Sequence, residues 1–170
     1  MVILGIGSNL ASNFGDRYAN IKLALSQLEA YGIQILKKSS FYETLAYPNN
    51  EDPKFINIAI LVKTKLPPVD LMSVLLFIEE KLGRKRIKKN SPRTCDIDII
   101  DYERQILNFD YKNLNLIIPH PNLSSRNFVL FPLKEILPEW THPKTKDNID
   151  ALIKKLSEAD KKSILKIEKN

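Results

Sequence analysis

Apolar residues recur along this chain with two different periods, and the residues between the apolar runs mark where each element stops. Residues 2–6 form a short β-branched apolar run ending among glycines, the pattern of a buried strand. After a polar loop, Asp16 stands where an N-cap belongs. Tyr18, Ile21, Leu25 and Leu28 follow at helical spacing, and Gly32 falls at the C-cap position. A second strand is predicted over 33–43. Residues 45–54 contain two prolines and two asparagines and read as a loop too polar to bury. From Phe55 to residue 64 the period becomes two, with Phe55, Asn57, Ala59 and Leu61 alternating with Ile56, Ile58, Ile60 and Val62. Pro67 and Pro68 open a second helix whose apolar face is Leu71, Val74, Leu75, Ile78 and Leu82, with Gly83 closing it. A basic loop, RKRIKKNSPR, then leads into a strand over 95–102.

The order β-α-β-β-α-β predicts an α+β fold of ferredoxin-like type, an antiparallel sheet with both helices on one face. The opposite face is then free to carry a site. Beyond residue 102 the pattern is less regular. A short strand near 105–107 suggests a hairpin, 125–137 reads as partly helical, 149–156 as a further helix, and 161–170 as an edge strand or a tail. No repeat, low-complexity block or linker divides the chain, so residues 1–170 are expected to form a single domain.

Composition narrows the classes. At 44% hydrophobic and 27% charged residues, the chain matches a soluble globular protein rather than a disordered or collagen-like one. No apolar stretch approaches the roughly 20 residues of a membrane span, and the N-terminus carries neither a basic leader nor a cleavable apolar segment. The lone cysteine, Cys95, cannot form an internal disulfide, which points to a reducing compartment and a cytoplasmic protein. Lys plus Arg number 26 against 20 Asp plus Glu, a net charge of +6 that favours acidic partners such as nucleotides, nucleic acid or phosphorylated metabolites. A lysine-rich proteome gives the same balance.

The sharpest chemical signal is Asp96-Ile97-Asp98 inside an apolar strand. Residues two apart share a strand face about 6.6 Å apart, from a rise of ~3.3 Å per residue, so the two carboxylates project together while Cys95, Ile97 and Ile99 point the other way. Asp disfavours strands, and like charges on one face repel. Divalent cations relieve that repulsion: magnesium takes one or two carboxylates and completes its shell with water and phosphate oxygens. A pair of ions ~3.5–4 Å apart is a recognised phosphate clamp. Arg84, Lys85, Arg86, Lys88, Lys89 and Arg93 lie just upstream, and arginine offers bidentate donors to phosphate. A solvated strand beside a solvated or nucleic-acid-binding loop fits the same residues. His120, beside proline, is by itself an ordinary turn residue. Gly5-Ile6-Gly7 resembles the start of a dinucleotide loop, but Leu10 replaces the third glycine.

These residues together resemble the 6-hydroxymethyl-7,8-dihydropterin pyrophosphokinase family of folate biosynthesis. The resemblance runs through Gly7-Ser8-Asn9-Leu10, Ser39-Ser40-Phe41-Tyr42-Glu43-Thr44, Phe55-Ile56-Asn57, Ile78-Glu79 and Gly83-Arg84. It continues through Pro92-Arg93-Thr94-Cys95-Asp96-Ile97-Asp98, Ile118-Pro119-His120-Pro121 and Arg126-Asn127-Phe128-Val129-Leu130. Each fragment is short; the ordered set is specific. It implies transfer of pyrophosphate from MgATP to the pterin hydroxymethyl group, with release of AMP, on a ferredoxin-like fold. Asp96 and Asp98 would bind two magnesium ions. Glu79, Arg84, Arg86, Arg93, His120 and Arg126 would contact ATP, with Arg84 and Arg93 joining the two aspartates as the catalytic set. Phe55 and Phe128 would stack on the pterin, and Asn57 would read its edge, helped by the backbone near Thr44. Without the resemblance, ordinary core packing would be the preferred reading of both phenylalanines.

The chain departs from the family pattern at Leu45-Ala46, where Pro-Pro is usual, at Asn90-Ser91, where Trp-Gly is common and the loop is one residue longer, and at Asn122, where arginine is frequent. All three lie in loops that close over ATP in the family. The expected partners are small molecules, with no nucleic acid and no membrane, and the expected form is a monofunctional monomer. The rival readings are another magnesium-dependent nucleotidyltransferase or nuclease, and a non-catalytic RNA-binding ferredoxin-like domain. The latter predicts an aromatic-rich Gly-Phe signature on a central strand, which this sequence lacks.

Overall fold

The computed structural model describes residues 1–46, 51–84, 91–111 and 114–167. In chain order the elements are β1 (Val2–Ser8), α1 (Arg17–Ala30), β2 (Gln34–Lys38), β3 (Phe41–Thr44), β4 (Phe55–Lys63), α2 (Pro68–Lys81) and β5 (Asp96–Tyr102). A hairpin of β6 (Leu107–Tyr111) and β7 (Leu114–Ile118) follows, then α3 (Asn127–Ile136), α4 (Ile149–Lys155), α5 (Glu158–Lys162) and β8 (Ile164–Ile167). The principal sheet is antiparallel, in the order β5-β1-β4-β3-β8, with β2 also on β4. The α+β, ferredoxin-like expectation holds.

Local chemistry sets the helix ends. Asp16 caps α1 by accepting the Ala19 N–H at 2.9 Å, and Gly32, at φ +73°, turns the chain out. α2 begins at Pro68, where a missing N–H costs nothing, and is followed by Gly83 at φ +86°. The strand expected over 33–43 is two strands. At the break, Ser39 donates its N–H to Ala59 and accepts the Ala59 N–H on its Oγ, both at 3.0 Å, so a side chain replaces one rung of the ladder. β2 and β3 therefore occupy successive halves of the same edge of β4.

The even-numbered residues of β1 and β4 face α1 and α2, giving a core of Leu4, Ile6, Ile58 and Ile60 against Ile21, Leu28, Leu71, Leu75 and Ile78. The β6-β7 hairpin joins this core through Leu116 and Ile118. The second face is not free along its length. Ile3, Ala59, Leu61 and Ile100 are covered by α3, Trp140 and α4, leaving only the end that carries Gly5, Gly7, Phe55, Asn57, Asp96 and Asp98. A bulge in β5 adjusts the boundary. Ile99 pairs with Leu4 but Asp101 with Ile3, so Ile100 is the extra residue. Ile100 and Asp101 both turn to the second face, where Asp101 accepts the Trp140 indole N–H at 2.9 Å. No helix among the described residues is long and apolar enough to cross a membrane.

Leu75 is fully buried between α2 and the sheet. Leu75→Ala is expected to lower unfolding free energy by about 2–5 kcal/mol, read from the midpoint of urea denaturation at unchanged slope.

Candidate functional site

The open end of the second face is floored by cross-strand rows. Gly7 pairs with Asp96 on one side and Asn57 on the other, and Gly5 with Asp98 and Ala59. The missing side chain at Gly7 is a structural requirement, because a Cβ there would lie 2.9 Å from Asn57 Oδ1 and 3.5 Å from the Phe55 ring. Asn57 donates its Nδ2 to Thr44 Oγ1 at 3.0 Å, and both side chains are buried. Gly7 is thus a site residue that sequence reading passed over. Gly7 stands in the first motif of the family resemblance, but its role, opposite an acid on one neighbouring strand and an amide on the other, depends on strand register.

Asp96 and Asp98 do project together, and they are not equivalent. Asp96 is ion-paired to Arg84 and to Arg93, the latter at 2.5 Å. Burial opposes ionisation of Asp96, but Arg93 and Arg84 outweigh it and hold the carboxyl below its usual range. Among the described residues, the one ion pair of Asp98 is with Arg126, at 3.8 Å, while Arg93 and Arg84 act on it from farther off. Burial, then the adjacent charge of Asp96, pushes its pKa up to about 6.

Glu79 of α2 is buried and orients the pair from beneath. Its Oε1 accepts the Ile97 N–H at 2.7 Å and the Arg84 guanidinium at 2.5 Å. Glu79 therefore fixes β5 and aims Arg84. Burial works against the Arg84 cation, but Asp96 and Glu79 raise its pKa further.

Arg93 is fastened through its backbone by Asn9. Asn9 Oδ1 accepts the Arg93 N–H at 2.7 Å, the Asn9 N–H reaches the Arg93 carbonyl at 3.1 Å, and Asn9 Nδ2 binds the Pro53 carbonyl at 3.0 Å. The Arg93 guanidinium sits 5.1 Å over the Phe55 ring, and its buried Nε finds no hydrogen-bond partner among the described residues. The loop after β7 is pinned by the His120 N–H on the Ile100 carbonyl at 3.1 Å. His120 Nδ1 accepts the Asn122 N–H at 3.2 Å, and Nε2 lies 3.3 Å from Arg126. Burial and the Arg126 charge lower the His120 pKa to about 4, so the ring is neutral at pH 7. Arg126 also lies 5.4 Å over Phe128.

A cleft of about 200 Å³ opens beside the acids, lined by Arg84, Asp96, Asp98, Asn115, Leu116 and His120 among others. The structure brings Glu79, Arg84, Arg93, Asp96, Asp98, His120 and Arg126 into one connected cluster. Thr44, Phe55 and Asn57 lie alongside on the same floor, and Phe128 joins through Arg126. Arg86 and Asn90 lie outside the described residues. Of the other atypical loop positions, Leu45 is exposed, Ala46 is buried, and Asn122 binds its backbone to His120.

Among the described residues, no three His, Cys, Asp or Glu side chains gather to hold a metal by themselves. Two carboxylates nonetheless suit a hard dication that brings phosphate oxygens as further ligands. Asp98, whose ion pair with Arg126 spans 3.8 Å and whose side chain is 39% exposed, keeps its oxygens accessible to such an ion. Asp96 and Asp98 are the residues that would hold such an ion.

Comparison with known proteins identifies the family. The family model described as 7,8-dihydro-6-hydroxymethylpterin-pyrophosphokinase (HPPK) matches residues 3–138. The 2-amino-4-hydroxy-6-hydroxymethyldihydropteridine pyrophosphokinase of Synechocystis sp. is 36% identical over 156 residues, 91% of this chain and 75% of that protein. The folic acid synthesis protein fol1 of Pneumocystis carinii is 37% identical over 157 residues, 92% of this chain. The chain spans about a fifth of that relative, 21% of its length. In structure, Plasmodium falciparum HPPK-DHPS with pteroate superposes with a TM-score of 0.72 at 17% identity, covering 91% of this chain and 44% of that one, a likeness of fold.

Carboxyl-detected NMR titration of the metal-free protein is expected to place the Asp98 midpoint at about 6. Asp96→Asn should lower it only part of the way, since burial is the larger cause. A midpoint in the ordinary carboxylate range would contradict the described pairing.

Proposed function

The chain belongs to the 7,8-dihydro-6-hydroxymethylpterin-pyrophosphokinase family, and from that premise we propose that it transfers pyrophosphate from ATP to the hydroxymethyl group of 6-hydroxymethyl-7,8-dihydropterin, releasing AMP. The observation that carries this reading is the Asp96–Asp98 pair, ringed by Arg84, Arg93 and Arg126 and adjoining a floor of Gly7, Phe55 and Asn57. One end of the site suits a polyphosphate and the other a flat heterocycle.

Asp96 and Asp98 would hold two magnesium ions, which when bound neutralise charge on the ATP phosphates. Arg84 and Arg93, which pair with Asp96 here, stand where they would also reach phosphate oxygens of a nucleotide bound beside that carboxylate. Such oriented guanidiniums cost little reorganisation as charge shifts in the transition state. Arg126 approaches from the Asp98 side. The expectation that Arg86 adds a further contact concerns a residue outside the described structure. Neutral His120 offers hydrogen bonding without adding charge. Glu79 serves ATP through Arg84 rather than by direct contact. Phe55 and Phe128 supply ring faces, while Thr44 and Asn57 form a buried polar pair for the pterin edge.

The site draws on residues from Gly7 to Phe128 of a single chain, which supports one catalytic domain acting as a monomer on small molecules. Buried, unpaired Cys95 suits the cytoplasm. The rival nucleotidyltransferase, nuclease and RNA-binding readings leave the pterin-side floor without a purpose.

Incubation with ATP, magnesium and the hydroxymethyl dihydropterin is expected to yield AMP; ADP as the nucleotide product would refute the activity. Asp96→Ala and Asp98→Ala should each abolish turnover with melting temperatures near wild type. Phe128→Ala should weaken pterin binding roughly 2- to 10-fold by calorimetry and leave ATP affinity nearly unchanged. Equal loss of both ligands would mean that the ring is a core element only.

A further inference from the structure

The family match ends at residue 138, yet the chain beyond it returns to the site. β8 adds to the outer edge of β3, pairing Ile164 with Thr44 and Lys166 with Tyr42. Apart from Ile167, which packs partly buried against the α1–α2 core, this C-terminal segment of α5 and β8 has little apolar hold. α5 buries no residue, and Leu165 of β8 is 61% exposed. Directional contacts hold it instead. Asn127, itself buried, donates Nδ2 to the Asp160 carbonyl at 2.6 Å and to Ser163 Oγ at 3.0 Å. Lys166 lies 3.5 Å from Glu135, whose carboxylate also accepts the Tyr42 hydroxyl at 2.6 Å and the Ser40 hydroxyl at 2.8 Å.

Both ends of this strap therefore land on the pterin side. One rung of β8 faces Thr44, and Asn127 sits between Arg126 and Phe128 in the first turn of α3. A segment held by a few hydrogen bonds and little burial opens at low free energy. Its docking narrows the positions open to Thr44 and Phe128.

We infer that Asn127 is a positioning residue: it ties β8 to the start of α3, so that docking of the C-terminal strand and binding of the pterin ring reinforce each other. The inference rests on the proposed pterin roles of Thr44 and Phe128. Such coupling is reciprocal, so pterin must protect β8 to the extent that docked β8 favours pterin.

The test is amide hydrogen exchange on the full chain with a non-hydrolysable ATP analogue present throughout, with and without the hydroxymethyl dihydropterin, alongside steady-state kinetics. In wild type, saturating pterin should slow exchange at Ile164–Ile167 by about tenfold relative to β1 amides, the scale of one or two net hydrogen bonds. Asn127→Ala should speed exchange at Ile164–Ile167 and raise KM for pterin, each by about fivefold to tenfold, with KM for ATP changed less than about twofold. Ser163→Ala, which removes one of the two acceptors, should give the same signs at smaller amplitude, and it carries the test should Asn127→Ala fail to fold. β8 exchange indifferent to pterin overturns the coupling. So does a variant in which β1 and β8 loosen together and both KM values rise. A wild type without turnover refutes the proposed activity, whereas turnover with indifferent β8 amides refutes the coupling alone.

Discussion

Two like charges on one strand face are the constraint around which this molecule is arranged. Asp96 and Asp98 gain nothing for the sheet: aspartate packs poorly on a pleated surface, and each carboxylate raises the cost of ionising the other. The surroundings relieve only half of that cost. Arg84 and Arg93 satisfy Asp96, and buried Glu79 in turn orients Arg84. Among the described residues, Asp98 makes one ion pair, with Arg126 at 3.8 Å, and burial with the charge of Asp96 displaces its acid range to about 6. A pair in which one carboxylate is closely ion-paired and the other keeps a single ion pair at 3.8 Å among the described residues is poorly suited to a structural ion-pair network. It suits a dication that arrives with its own anionic ligands.

The fold gives that pair room. Covering one sheet face fully with α1 and α2 supplies the core, so the other face can be divided. α3, Trp140 and α4 close the half that carries Ile3, Leu61 and Ile100, and the β5 bulge at Ile100 lets the same strand serve the core at one end and the site at the other. At the open end, glycine at positions 5 and 7 keeps the floor low, and Asn9 fixes Arg93 relative to the Pro53 carbonyl next to the Phe55 segment. The acid–arginine cluster and the floor of Phe55 and Asn57 are thus joined through short hydrogen bonds and through the guanidiniums over Phe55 and Phe128.

The sequence disclosed what depends on local chemistry. Asp16, Gly32, Pro67, Pro68 and Gly83 bracket α1 and α2, and the alternation around Cys95, Ile97 and Ile99 fixes the facing of the two acids. It did not disclose what depends on register. Ser39 breaks one predicted strand into two only because Ala59 lies opposite it. The bulge at Ile100 needs the pairing of β5 with β1, and the meaning of Gly7 needs Asp96 and Asn57 on either side. Glu79 reads as one acid on a helix, although its role comes from the Ile97 N–H and Arg84. Asn9 and Asn127 stand in motifs of the family resemblance, but what each one binds is known only from its partners far along the chain.

The most direct measurement is the number of divalent ions held by the site. Manganese in place of magnesium, titrated into the protein with a non-hydrolysable ATP analogue and followed by electron paramagnetic resonance, should saturate at two ions per chain. Asp98→Asn should lower that number or weaken its last step sharply. Saturation at two ions with affinities unchanged by loss of the Asp98 charge would contradict the account.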